Sequence, residues 1–148
     1  MLSRLALAED REAVLALGAL EATELAAVPF CPEHAGRMFD RAVSQATPTL
    51  FVVERRPDRQ AVGFAVCAAY EYLFSPRLHV VLETIFVRPD SRGTRAAASL
   101  LSAVTGWARI VGASEIFLAS AGRDQERHAR FFARLGAVPT GTAMKITV

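Results

Sequence analysis

The stretch LETIFVRPDSRGTRAAASLL, residues 82–101, contains the change of hydrophobic period that decides the fold. A strand-like run ends at Val87, a polar loop follows, and the next apolar residues recur at helical spacing. The first N–H groups of a helix have no partner within it and attract anions. Gly93 lets the backbone approach an anion closely, and Ala96 and Ala97 keep the first turn free of bulk. The stretch therefore predicts a diphosphate-binding strand, loop and helix.

The rest of the chain predicts a mixed α/β fold. The predicted elements are a strand at 2–8, helices at 9–27 and 32–44, strands at 49–54, 61–72 and 78–87, a helix at 94–111, a strand at 115–120, a helix at 124–135 and a strand at 142–148. Short turns between the three middle strands are typical of an antiparallel meander. The strand, crossover helix and strand within residues 78–120 predict one parallel pair. The predicted order is β-α-α-β-β-β-α-β-α-β.

Composition narrows the class of protein. A chain of 148 residues with 52% hydrophobic content predicts a single domain over residues 1–148. No apolar run approaches the roughly 18 to 20 residues of a membrane span, and the N-terminus lacks a secretory pattern, so we expect a cytoplasmic protein without a membrane partner. Arginines spread along the chain, with a net charge of only +2, argue against nucleic-acid binding.

Other kinds of ligand site find no support in the sequence. Neither GxxxxGK[ST] nor GxGxxG after a strand is present, which excludes the usual ATPase and dinucleotide-dehydrogenase loops. The two cysteines, Cys31 and Cys67, are not in a CxxC spacing, so we predict no metal site and treat both as reduced packing residues.

The loop resembles the cofactor-binding motif of the GNAT superfamily of acyl-CoA-dependent N-acetyltransferases. In that family a strand ending in V-x-P leads to Q/R-x-x-G-x-G/A and a helix, and here Val87 and Pro89 precede RGTRAA, residues 92–97. The sequence RFFARLG, residues 130–136, is similar to the family's fourth-helix pattern F-Y-x-k-x-G. The resemblance implies a GNAT-like, mostly antiparallel central sheet of about six strands with helices on both faces, and acetyl-CoA as co-substrate.

The same resemblance assigns a set of residues to the cofactor. These are Phe86, Val87, Arg92, Gly93, Thr94, Arg95, Ala96, Ala97 and Phe132. Arg95 departs from the family, because it stands where relatives usually have the inner glycine of the loop. We expect its side chain to swing outward and pair with phosphate oxygens. The alternative is an ordinary solvated surface arginine.

The resemblance assigns the catalytic base to Glu83 and shows a departure from the family at Phe132. Glu83, four residues before Val87, matches the glutamate that deprotonates the amine in relatives, and a structural pair with a histidine or arginine is the alternative. Strand alternation predicts Glu83 on the same face as His79, with Val80, Leu82, Thr84 and Phe86 on the opposite face. Phe132 stands where many relatives carry a tyrosine that protonates the leaving thiolate. A phenyl ring has no proton to give, so another donor or water must serve, or turnover is slow.

The acceptor site is expected between the first two helices and the third and fourth strands. Its candidate residues are Phe30, His34, Tyr70 and Tyr72, with Cys31 and Phe74 nearby. Aromatic side chains can hold an ammonium group, although plain packing is the alternative for each. The sequence does not identify the acceptor.

Three functional hypotheses follow. The first is transfer of acetyl from acetyl-CoA to a primary amine of a small molecule or protein by direct attack. The second, prompted by Arg95 and Phe132, is a CoA-binding sensor or assembly module without turnover. The third, an interaction or nucleic-acid module on a similar frame, predicts no acyl-CoA affinity. A homodimer is compatible with so apolar a chain.

Overall fold

A computed structural model of the chain describes residues 1–25, 29–45, 47–119 and 125–141. The chain divides into two compact units, residues 1–118 and 119–148. The first unit contains β1 (Leu2–Leu5), α1 (Arg11–Leu25), α2 (Pro32–Ser44), β2 (Thr49–Arg55), β3 (Gln60–Tyr72), β4 (Ser75–Val87), α3 (Ala96–Ile110) and β5 (Ala113–Leu118). Among the described residues, no helix is long and apolar enough to span a membrane.

The strands form one sheet in the order β1-β2-β3-β4-β5. The first four are antiparallel to their neighbours, whereas β4 and β5 are parallel, as the crossover predicted. The prediction of a mixed, mostly antiparallel sheet is confirmed, with five strands described where about six were predicted. The predicted last strand, residues 142–148, lies outside the described residues.

Helices cover both faces of this sheet, as predicted. On one face Leu100 and Val104 of α3 are fully buried against Val62 and Val80. On the other face Val14 and Leu17 of α1 and Phe39 of α2 pack with residues of β2, β3 and β4. The helices bury apolar stripes at helical spacing, so the sheet is held from both sides by hydrophobic contact.

A cluster of three charged side chains lies where β1 and β2 meet the start of α1. Arg4 donates to both carboxylate oxygens of Asp10 (2.7 and 2.9 Å), and it donates to Oε1 of Glu54 through Nε (2.8 Å) and Nη2. Burial alone would raise the pKa values of Asp10 and Glu54, but the bonds from Arg4 outweigh burial. Both pKa values therefore lie below their usual range.

The second unit contains α4 (Gln125–Arg134), close to the predicted helix at 124–135. Gly136 follows it with φ of +90°, and the N–H of Ala137 donates to the carbonyl of Phe132 (3.1 Å). A glycine in this conformation is a common helix stop. The rings of Phe131 and Phe132 lie 5.3 Å apart, centroid to centroid.

Candidate acyl-transfer site

A β-bulge at Glu83 determines which side chains of β4 reach the candidate site. Thr84 pairs with Val66 and Leu82 pairs with Cys67, which leaves Glu83 as an extra residue without a partner on β3. An extra residue of this kind changes the alternation of side chains along its strand.

The predicted alternation across Glu83 is consequently wrong. Val80 and Leu82 pack on the α3 side of the sheet, whereas Phe86 packs on the side of α1 and α2. Glu83 and Thr84 both project to the side of α1 and α2, since Glu83 accepts a hydrogen bond from Tyr70 and Thr84 donates one to Glu21 of α1. The bulge thus brings two consecutive side chains to the same face.

Among the described residues, the end of β4 has an open edge. The pairing with β5 stops at Leu82 and Leu118, so residues 83–87 continue beyond their parallel neighbour. The N–H of Arg88 donates to the carbonyl of Val62 (2.9 Å). This bond determines which N–H groups of β4 point toward β3. By the alternation of an antiparallel pair, the N–H groups of Val87 and Ile85 then point away from β3, and that of Phe86 points toward it.

The loop before α3 supplies further backbone donors. Pro89–Ser91 forms a single 3₁₀ turn, Gly93 has φ of +79°, and α3 begins at Ala96, which is fully buried. The hydroxyl of Thr94 donates to the carbonyl of Ser91 (2.6 Å) and accepts the N–H of Ala96 (3.3 Å). In the part of the chain that the structure describes, the N–H groups of the three loop residues 93–95 have no protein acceptor.

Arg92 braces this loop against α1 and the end of β4. Its Nε donates to the carbonyl of Val87 (2.9 Å), its Nη2 binds both carboxylate oxygens of Glu24 on α1 (2.8 and 2.6 Å), and its guanidinium lies 5.5 Å from the centre of the Phe86 ring. Arg92, which the resemblance assigns to the cofactor, is therefore already paired with a carboxylate.

Arg95 takes no part in this brace. The side chain is exposed, has no ion pair within the described ranges, and lines an open groove of about 500 Å³ with Ser3 and Ser99. The clamp of Arg95 on phosphate stays a prediction.

The acceptor side of the bulge carries aromatic and acidic groups. The hydroxyl of Tyr70 donates to Oε1 of Glu83 (3.1 Å), and this bond raises the pKa of Tyr70. The ring of His79 lies 5.9 Å from that of Tyr70, 4.5 Å from that of Tyr72 and 5.5 Å from that of Phe117. The Nδ1 atom of His79 is buried without a hydrogen-bond partner among the described residues. The predicted common face of Glu83 and His79 is observed, with Tyr70 between them.

The other two predicted acceptor residues lie at α1 and α2, apart from the Tyr70 and Tyr72 cluster. His34 is exposed in the first turn of α2, and Phe30 packs beside Gly18 of α1. Within the described ranges no ring contact or hydrogen bond joins them to Tyr70 or Tyr72. Their role in acceptor binding stays a prediction, as does the role of Phe132 beside the cofactor.

Cys67 lies behind the bulge, where Leu82 pairs with it. Burial, with a smaller contribution from the charge of Glu83, raises the pKa of this thiol to about 12. A thiol with so high a pKa stays protonated near neutral pH and is a poor nucleophile. Cys67 is therefore a poor candidate for a covalent intermediate.

Sequence reasoning missed three residues that shape the site: Glu21, Glu24 and Gly63. Glu21 continues the buried stripe of Val14 and Leu17 at helical spacing, and a carboxylate on a buried stripe is a usable signal. A glycine inside a strand pattern is likewise a signal of a bulge or a close approach. Glu24 has no such signal, because its partner Arg92 is 68 residues away.

Residues 16–137 of the chain match the family model described as the acetyltransferase (GNAT) family. The chain belongs to this family. Among curated proteins no match was found. The chain shares the GNAT fold with solved structures at TM-scores near 0.8.

A Trypanosoma brucei acetyltransferase is 20% identical at a TM-score of 0.79, with 99% of this chain and 98% of that chain covered. An AAC(6')-Iy structure in complex with the bisubstrate analogue CoA-S-monomethyl-acetylneamine is 19% identical at 0.80, with 99% and 96% covered. A ribosomal-protein-alanine N-acetyltransferase from Brucella melitensis biovar Abortus 2308 is 18% identical at 0.78, with 99% and 97% covered. At these identities the likeness shows that the GNAT fold is common to all four chains.

Proposed function

We propose that this GNAT protein transfers acetyl from acetyl-CoA to a primary amine by direct attack of the amine on the thioester. The observation that carries the proposal is the open edge of β4, where the N–H of Val87 points away from β3 beyond the end of β5. An unpaired N–H at a strand edge can donate to an incoming carbonyl oxygen. The bisubstrate complex of the AAC(6')-Iy structure supports a CoA-based co-substrate for this fold.

The loop before α3 is proposed to bind the pyrophosphate of the co-substrate. Its support is the set of free N–H groups at residues 93–95, which stand at the positive end of the α3 dipole. Because Arg92 is paired with Glu24, the backbone and the exposed Arg95 are left as the donors to phosphate. Backbone donors fixed by the fold need no rearrangement on binding.

In the proposed reaction the amine nitrogen forms a bond to the thioester carbon while the N–H of Val87 donates to the carbonyl oxygen. The carbon–sulfur bond then breaks, and the thiolate leaves. Water carries the proton that the amine nitrogen loses to the thiolate, because Phe132 has none to give. Cys67 stays a protonated thiol and takes no part, in keeping with direct transfer.

The acceptor is proposed to carry its ammonium group to Glu83. The carboxylate of Glu83 is exposed and hydrogen-bonded to Tyr70, and the rings of Tyr70, Tyr72 and His79 lie beside it. A carboxylate next to aromatic rings suits a cation, through charge and through the negative ring faces.

Turnover is tested by incubating the protein with acetyl-CoA and a panel of primary amines and measuring release of free thiol. We expect amine-dependent thiol release. Acetyl-CoA binding by calorimetry without thiol release over a broad panel would instead favour the CoA-binding sensor or assembly module. No measurable binding would contradict both functions.

The phosphate loop is tested by Gly93→Val. A side chain at φ of +79° is strained by about 1 to 2 kcal/mol and moves the backbone donors, so we expect acetyl-CoA affinity to fall at least tenfold in calorimetry. Gly112→Val is the matched control, because Gly112 has φ of +80°, faces open space in the same way, and follows the other end of α3. Equal loss of affinity in both variants would count against the loop assignment.

A further inference from the structure

Glu21 is a second carboxylate at the bulge, supplied by α1. It follows Val14 and Leu17 on the buried stripe of that helix, is itself half-buried, and accepts a hydrogen bond from the hydroxyl of Thr84. Among the described residues Glu21 has no ion pair, because Arg92, the arginine that reaches this part of α1, binds Glu24.

The bulge places Glu83 and the partner of Glu21 on the same face of β4. Thr84, which holds Glu21, directly follows Glu83, and both side chains project to the α1 side of β4. Both carboxylates therefore lie on the α1 side of β4, at the strand residues that precede the outward N–H groups of Ile85 and Val87. An amine that attacks at this edge approaches both.

The two carboxylates differ in their surroundings. Glu83 is exposed and bound by the hydroxyl of Tyr70. Burial raises the pKa of Glu21, the bond from Thr84 lowers it in part, and the negative charge of Glu24 raises it further. The other charged groups around this point are Arg92, which binds Glu24, and Arg41 of α2, whose charge acts on Tyr70.

These differences suit the two carboxylates to different tasks. A base whose pKa lies closer to the working pH is the better acceptor for a proton during catalysis. An exposed carboxylate that accepts a hydrogen bond from a tyrosine is better suited to hold a cation in place.

We propose that Glu21 takes the proton from the acceptor's ammonium group, while Glu83 and Tyr70 hold that group at the bulge. This rests on the proposed acetyl transfer. The ammonium gives one proton to the carboxylate of Glu21, and the neutral amine attacks the thioester carbon. The carbon–sulfur bond breaks, and the second proton lost by the nitrogen passes through water to the departing thiolate. Glu21 then gives its proton to water, so the products are the amide, the free thiol and one hydrated proton. The charge and atom count balance without any further reactant.

The first test compares Glu21→Gln with Glu83→Gln, using acetyl-CoA and the best amine of the panel. For Glu21→Gln we expect kcat to fall by about 10² to 10⁴ and the acid limb of the kcat/KM profile to disappear. For Glu83→Gln we expect a higher KM for the amine and a retained acid limb. Unfolding midpoint and acetyl-CoA affinity, measured on both variants, check that the fold is kept. The proposal is overturned if the acid limb disappears in Glu83→Gln and is kept in Glu21→Gln.

The second test uses Thr84→Val, which does not depend on the folding of Glu21→Gln. Removing the hydroxyl removes a bond that lowers the pKa of Glu21, so the acid limb should move to higher pH with the alkaline plateau largely kept. A merely structural contact would leave the pH profile in place, and an unmoved limb therefore counts against the proposal.

Failure of acetyl transfer and failure of the Glu21 assignment give different results. If the unchanged protein acetylates no amine, the proposed function fails and Glu21 has no proton to accept. If it acetylates amines and the acid limb of the kcat/KM profile is unchanged in both Glu21→Gln and Thr84→Val, only the assignment of Glu21 fails.

Discussion

Arg4→Met is expected to lower the free energy of unfolding by about 3 kcal/mol at pH 7, because it leaves two buried carboxylates without their cation. Asp10 is 7% exposed and Glu54 is 2% exposed, and Arg4 binds both. After the change Asp10 retains the N–H of Leu7 (2.7 Å), and among the described residues Glu54 retains only the more distant Arg59 (3.5 Å). Urea unfolding at pH 7 measures the loss.

The same variant has a characteristic pH dependence. In the unchanged protein the pKa values of Asp10 and Glu54 are lowered, so their contribution to stability is complete above the unfolded pKa values of about 4 and is lost as pH falls below them. In Arg4→Met burial acts without the arginine, and protonation relieves the buried charge. The difference between the two proteins should therefore shrink from pH 7 to pH 3.

Arg55→Met is the matched control for this prediction. It breaks the ion pair of Arg55 with Asp58, whose side chains are both well exposed. Exposed pairs contribute little, so its unfolding midpoint should equal that of the unchanged protein. A similar loss in both variants would show that the cluster around Arg4 has no special role.

Gly63→Ala is expected to reduce kcat/KM by about 10²-fold and to destabilise the fold by about 1 to 3 kcal/mol. A Cβ at this position would lie 2.5 Å from the carbonyl oxygen of Phe86 and 3.2 Å from Cα of Val87. Both are backbone atoms, so β4 itself must move, and with it the N–H proposed to meet the thioester. Thiol-release kinetics and urea unfolding measure the two effects.

Gly106→Ala provides the comparison. A Cβ at Gly106 of α3 meets nothing within 4 Å, and alanine is the better helix former. This variant should be as active as the unchanged protein and slightly more stable. Full activity in Gly63→Ala would show that the spacing of β3 and β4 at Phe86 does not control the reaction.

Local sequence signals were sufficient for most of the fold. Pro32 at the first helical position and the apolar stripe after it predicted α2 with the bounds that the structure has, Pro32–Ser44. The change of period around Gly93 likewise predicted the strand, loop and helix of the candidate site. Such signals succeed because they depend on residues within a few turns of each other.

The details of the site depended on contacts between distant residues. Nothing in the alternation of β4 shows a bulge at Glu83, because the sequence on either side fits a regular strand equally well. The partner of Arg92 could not be predicted either, since a surface glutamate 68 residues away takes the place assigned to phosphate. The positions of Phe30 and His34 depend in the same way on how α1 and α2 pack.

The brace made by Arg92 has a consequence for affinity. One guanidinium ties α1, the end of β4 and the loop before α3 together, so the loop loses its conformational freedom when the chain folds. A ligand that arrives later has less entropy to remove, and more of its contact energy appears as binding. Loosening this tie would weaken a ligand that never touches the arginine.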